Sequence, residues 1–225
     1  MRIAVIGSGN VGGTLGRRWA ALGHEVAFGV RDPGRGASAV KGGTAGEPLP
    51  PGARVTTTRE AVRGDDGWRA DVVLLATPWP AVPQALAELG PDALDGVVLL
   101  DATNPLGAGF RLDVGPNGES GAERVQVMAP GARVVKAFNT TGYENMRNPI
   151  YGGVPSVMCY AGDDAEAKAV AHQLAAALGF DAVDAGSLLR ARQLEQLAVL
   201  WITLAMGLSG VPGTGRDVAF ALLRR

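Results

Sequence analysis

Residues 2–6 (RIAVI) are apolar and rich in β-branched side chains, which predicts a short buried strand. GSGNVG follows at once, at positions 7–12. Apolar residues then fall at Val11, Leu15, Trp19 and Leu22, a helical spacing with one buried face. Gly23 ends that helix, and residues 24–30 predict a second strand. Strand-like runs recur at 55–57, 71–77, 97–103, 133–138, 153–160 and 180–184. Helices are expected at 60–63 with Thr58 as cap, at 81–89, at 122–128, and from Asp163 or Asp164 to Leu178. A broad stripe of Leu188, Leu189, Leu194, Leu197, Leu200, Trp201, Leu204 and Leu208 predicts a long helix capped by Ser187. After a turn at Val211-Pro212-Gly213, a last short helix is expected at 217–223. Residues 34–52 and 106–120 read as glycine-rich loops, the first with at most one short helix.

Strands alternating with helices predict an α/β fold, a Rossmann-type doubly wound and mostly parallel sheet. Residues 1–185 are expected to form this nucleotide-binding domain. Residues 186–225 are expected to add a small helical part that packs on it and on a second subunit. Ligands in such sheets lie beyond the carboxyl ends of the strands. That rule gathers the turn at 7–12, Arg31, residues 77–79, Asn104-Pro105 and residues 139–143 on one edge.

Positions 7–12 read G-x-G-x-x-G between strand and helix, the setting in which this motif binds a dinucleotide. Gly7 permits the tight turn, Gly9 lets a pyrophosphate approach the backbone, and Gly12 lets helix and strand pack closely. An NAD-preferring site places an acid at the end of the second strand to hold the ribose 2′-OH. Here that place is Phe28-Gly29-Val30, and Arg31 follows. A guanidinium at this point suits a 2′-phosphate, so NADP(H) is expected over NAD(H). Asp32 opposes that reading if its carboxylate turns inward, and Arg35 and Lys41 add positive charge nearby.

Net charge is −1 over 225 residues, with both signs interspersed, which argues against nucleic acid or an anionic membrane as partner. The apolar stretch at 197–208 is too short to span a bilayer, and the strand starting at residue 2 leaves no room for a signal peptide. A single cysteine, Cys159, fits a reduced cytoplasm. No His, Cys or Asp cluster has metal spacing, so no metal is expected. The two histidines, His24 and His172, lie away from the ligand loops. Lys136, with Asp101, is the alternative acid or base. Hydride exchange between two ring carriers needs no such group, only stacked rings and exclusion of water, and Trp79 and Phe138 are candidate ring contacts.

The runs IAVIGSGNVGGTLGRRWAALGHEVAFGVRDP, ATPWPAV, DATNPL, VVKAFNTTGYENM and YAGDD…LGFDAVDAGSL resemble the NADPH-dependent reductases of the deazaflavin coenzyme F420. They are similar as well to the NADPH-oxidoreductase domain of six-transmembrane epithelial antigen metalloreductases. The resemblance implies a homodimer with NADPH as one hydride partner. It implies a pyrophosphate on Gly7, Gly9, Asn10 and Val11, and a 2′-phosphate at Arg31. Two positions depart from the deazaflavin reductases: Val30 stands where they have Ser, and Asn139 where they have His.

Together these readings expect an NADP-dependent oxidoreductase that exchanges hydride with F420, FMN or FAD. The expected cofactor contacts are Gly7, Ser8, Gly9, Asn10, Val11, Gly12, Val30, Arg31, Ala76, Thr77, Pro78, Trp79, Asn104, Pro105, Phe138 and Asn139. The alternatives are a dehydrogenase or imine reductase of a small substrate that uses Lys136, and a non-catalytic NADP(H)-binding sensor.

Overall fold

Strand β1 (Arg2–Ile6) is buried from Ile3 onward, and in the computed structural model it lies inside an eight-stranded sheet. The structure describes residues 1–43, 47–64, 67–90 and 92–225. Helix α1 (Asn10–Ala21) returns the chain to β2 (Glu25–Val30), which pairs parallel to β1. β3 (Ala53–Thr57), α2 (Thr58–Val62), β4 (Val72–Leu75), α3 (Val82–Leu89), β5 (Val98–Asp101), α4 (Gly121–Met128) and β6 (Arg133–Lys136) follow. The sheet order through these strands is β3-β2-β1-β4-β5-β6, all parallel. After α5 (Tyr143–Arg147) and a two-stranded hairpin of β7 (Ile150–Tyr151) and β8 (Val154–Pro155), β9 (Val157–Gly162) adds antiparallel to β6. Helix α6 (Ala165–Ala177) then crosses to β10 (Asp181–Asp184), parallel to β9. The sheet is thus mostly parallel and Rossmann-like, as expected.

Alternation along the strands divides the core into two layers. Ile3, Val5, Val26, Phe28 and Leu74 face α1 and α6, against Leu15, Trp19 and Leu174. Ala4, Ile6, Ala27, Val73 and Leu75 face α2, α3 and α4, against Ala61, Leu86 and Val125.

The structure corrects several expectations. Leu22 is exposed, because it is the C-cap of α1 and its side chain has left the buried face. Thr57, not Thr58, caps α2, in a reciprocal capping box with Glu60. The expected loop at 34–52 includes residues 44–46, which lie outside the described residues; before them stands a short 3-10 turn at Pro33–Ala39. The expected strand at 153–160 is broken by the hairpin and begins again at Val157. Asp164 caps α6 by accepting from Ala167 N–H, while Asp163 accepts from Leu188 N–H. That second bond leaves Ser187 without a capping role, and a single 3-10 turn precedes α7 (Ala191–Met206). The apolar stripe of α7 is divided: Leu194, Ala198 and Trp201 are buried, whereas Leu189 and Leu200 stand about half exposed at 49% and 48%.

The helix expected at 217–223 does not form. Its carbonyls are taken by distant donors instead of a helical ladder. Val218 O accepts from Asn145 Nδ2 and from Trp201 Nε1, each at 2.7 Å, and Phe220 O accepts from Val157 N–H at 2.8 Å. Arg224 then pairs with both oxygens of Asp181.

Ser120 caps α4 in a second capping box, with Glu123 reaching back to its N–H. Arg192 of α7 forks onto the same carboxylate at 2.8 and 2.7 Å, and this pairing above all holds Glu123 down to about 2. A carboxylate depressed on folding stabilises the fold above its ordinary pKa of 4.5, and that contribution is lost as pH falls toward 2. Glu123→Gln should therefore flatten the fall in thermal stability between those two pH values, measured by melting curves at each pH. A wild-type melting temperature that stays constant across this interval would contradict the pairing.

Candidate nucleotide-binding site

Chain direction reverses between β1 and β4: β2 lies to one side of β1, and the chain later crosses to β4 on the other. The turns after β1, β2 and β4 therefore splay apart and leave a crevice at the carboxyl edge. A cavity of about 660 Å³ lies there, lined by Gly7, Ser8, Gly9, Val30, Arg31, Asp32, Arg35, Thr77, Pro78 and the face of α3.

The three motif glycines are needed for different reasons. Gly7 has φ +100°, and a Cβ there would meet the backbone of Ala76 and Thr77 at 2.6–2.7 Å. A Cβ at Gly12 would lie 2.0 Å from Gly7 O, so this glycine lets α1 sit against β1. At Gly9 a Cβ would meet nothing within 4 Å. The protein's own packing therefore does not require that glycine, and the backbone there faces open space. Thr77 lines the same cavity, and its Oγ1 is buried and has no hydrogen-bond partner among the described residues. An open backbone turn at a helix N-terminus and an orphaned hydroxyl fit a phosphate-bearing ligand.

The electrostatics at the end of β2 are also resolved. Asp32 does not point its charge at the cavity without restraint: its Oδ1 accepts from Gly34 N–H at 3.2 Å and caps the 3-10 turn that follows. Arg31 and Arg35 remain exposed along the cavity wall. Lys41 serves through its backbone: its N–H donates to Ser8 O at 2.9 Å, and its carbonyl packs against Gly13.

Of the expected contacts, Gly7, Ser8, Gly9, Val30, Arg31, Thr77 and Pro78 meet at this cavity. Asn10 begins α1 with its side chain exposed, and Val11 and Ala76 pack partly into the core beside the turn. Asn104 and Asn139 lie farther along the same edge and bond to each other, Asn139 Nδ2 donating to Asn104 Oδ1 at 3.0 Å. Pro105 is buried next to them, and Asn139 Oδ1 is another buried oxygen without a hydrogen-bond partner among the described residues.

Trp79 and Phe138 are not brought to the cavity. Phe138 is 1% exposed and sits edge-on between Trp19 and Phe180, a core aromatic. Trp79 turns to the other side of α3 and carries Arg124 over its ring, on the wall of a separate apolar groove with Pro80, Pro83 and Val127. Lys136 is not brought there either. Its Nζ is fully buried and lies 3.0 Å from Asp101 Oδ2 and 2.8 Å from Glu195 Oε1, donating also to Thr103 O at 2.6 Å. Burial pulls Lys136 down, but the two carboxylates outweigh it and hold the ammonium above the usual lysine value. Lys136 is thus a buried, fully paired charge that lies outside the cavity. Among the described residues, no group of three or more His, Cys, Asp or Glu side chains is placed to hold a metal ion. No helix described is long and apolar enough to cross a membrane.

Sequence reasoning missed Gln84 and Glu88, which line the cavity from α3. Their signal was a polar i, i+4 pair on the helix after β4.

A Rossmann-type crevice with a glycine turn, an orphaned threonine hydroxyl and two arginines defines a dinucleotide-binding protein. Residues 2–105 match the family described as NADP oxidoreductase, coenzyme F420-dependent. The chain is 33% identical over 215 residues to the F420-dependent NADP reductase of Methanothermobacter thermautotrophicus, covering 91% of this chain and 89% of that one. It is 32% identical over 197 residues to metalloreductase STEAP3 of Rattus norvegicus, covering 87% of this chain but spanning only 36% of that protein. A solved structure from Arthrobacter sp. FB24, ascribed to an F420-dependent NADP reductase, superposes with a TM-score of 0.80 at 31% identity and full coverage of both chains. The chain belongs to the F420-dependent NADP oxidoreductase family and is an NADP-dependent oxidoreductase.

Gly9→Ala should fold with an unchanged melting temperature yet weaken dinucleotide binding, by about 1–3 kcal/mol on the usual scale of overpacking. Gly12→Ala should instead lower the melting temperature, because its methyl meets backbone. Thermal melts alongside dinucleotide titration of both variants check this. Equal stability losses at the two positions would mean that Gly9 too is held by internal packing.

Proposed function

We propose that the cavity holds NADP(H) and that this enzyme exchanges hydride between NADP(H) and a flavin-type or deazaflavin ring, F420, FMN or FAD. The observation that carries the NADP(H) reading is the end of β2, where Arg31 and Arg35 line the cavity beside a single acid, Asp32, whose Oδ1 is held by its own turn. A pyrophosphate on the backbone of Gly7, Ser8 and Gly9 then meets the N-terminus of α1. Thr77 Oγ1 gains the partner it lacks, and Arg31 meets the 2′-phosphate. The two rings supply the redox chemistry between themselves. The chain's part is to hold them in register and keep water out. Asn104 and Asn139, pinned to each other and to Leu194 O of α7, form the edge where the second ring would lie. The 33% identical relative named as an F420-dependent NADP reductase supports this choice of second carrier. The encased Lys136 leaves the small-substrate reading without its acid or base.

In this reading the enzyme works in the cytoplasm as a homodimer, with the exposed apolar residues Leu189, in the turn before α7, and Leu200, on α7, at the subunit interface. A wild-type chain that sediments as a monomer at micromolar concentration would remove the dimer.

Arg31→Ala should weaken NADPH by about ten- to a hundred-fold, the scale of a lost charge-assisted hydrogen bond, roughly 1.5–3 kcal/mol. NADH should be nearly unaffected. Equal losses for both would show that Arg31 does not read the 2′-phosphate. For the second carrier, NADPH deuterated at the transferred position is mixed with each oxidised ring in single turnover. A primary isotope effect, with label retained in a reduced deazaflavin, is expected. If NADPH binds tightly but no ring is reduced, the chain is a sensor and the hydride reading fails.

A further inference from the structure

From α3 and its lead-in turn the cavity is lined by a stripe of Ala81, Gln84, Ala85 and Glu88, whose spacing puts them on one face. The stripe changes character along its length. The two alanine methyls present a flat apolar surface, suited to the face of a ring. Beside them, Gln84 Nε2 donates to Glu88 Oε1 at 2.9 Å. An ionised carboxylate only accepts, so Glu88 decides which end of the Gln84 amide faces it. That leaves the second N–H of Gln84 as a free donor next to the free oxygen of Glu88 as an acceptor. The Watson–Crick edge of adenine carries the complement: N1 accepts and the N6 amino group donates.

We propose that the Gln84–Glu88 pair reads the nucleobase, with adenine N6 donating to Glu88 and N1 accepting from Gln84, and so selects adenine over 6-oxopurine dinucleotides. This rests on the NADP(H) reading of the same cavity. Three placements support it. The phosphate-binding turn and the arginines lie on the β1 and β2 side. The base of a dinucleotide anchored there extends across the slot toward α3. Both side chains are exposed on the helix surface, so neither is needed to fill the core. A hypoxanthine base has O6 as acceptor and N1–H as donor, which sets acceptor against carboxylate and donor against donor.

The test compares NADPH with its deamino analogue, nicotinamide hypoxanthine dinucleotide phosphate, by nicotinamide fluorescence titration. Wild-type protein should bind NADPH about ten-fold more tightly, the scale of one or two net hydrogen bonds. Glu88→Gln, which can donate to O6, should bring the ratio close to one, and Gln84→Ala should lower it in part, both with unchanged melting temperatures. Equal wild-type affinity for the two dinucleotides, or a preference that survives both substitutions, would overturn the base-reading pair and leave the NADP(H) assignment standing. If wild-type protein binds neither dinucleotide, both fall together.

Discussion

The ammonium of Lys136 lies wholly out of water between the carboxylates of Asp101 and Glu195. A buried charge costs several kcal/mol to desolvate, and only good geometry and further hydrogen bonds offset that cost. Here every partner comes from a different element: Asp101 ends β5, Lys136 ends β6, and Glu195 lies on α7. Glu195 also accepts from the N–H groups of Gly121 and Ala122, so the first turn of α4 helps to balance its charge. Removing one member would strand the others, so these four elements are tied to one arrangement. The ends of β5 and β6 are the positions from which Asn104 and Asn139 project. This buried charge cluster thus sets where that pair of asparagines stands.

Much of the site was legible because it is local. The glycine turn, the two strands around it and the missing acid before Arg31 all fall within one β-α-β unit, where spacing translates directly into geometry. What was not legible depends on partners far along the chain. Nothing near Lys136 announces Glu195, so an isolated lysine in a strand looked available for catalysis. Phe138 stood beside a ligand loop in sequence, yet its ring turns back between Trp19 and Phe180. The stripe of α7 looked continuous by period, but burial splits it between an inner face at Leu194 and Trp201 and an outer one at Leu200.

The same contrast separates the two halves of the crevice. On the β2 side, the cavity is lined by exposed arginine side chains beside a capped turn. On the β5 and β6 side, the polar groups are buried and their mutual bonds leave little freedom. The first half can change its preference through one or two substitutions with small effects on stability. The second is coupled to the core, so changes there act on fold and function together.

The chain's last residues have a thermodynamic role that their lack of regular structure hides. The carbonyl of Val218 is gripped from α5 and from α7, and that of Phe220 from the start of β9. An ordinary terminus frays at little cost, and its amides exchange with solvent quickly. This one closes a ring of contacts with the antiparallel edge of the sheet. Release of the tail would leave the indole N–H of Trp201 and the amide of Val157 without partners at once. Opening at this end therefore uncovers donors on three separate elements, α5, α7 and β9.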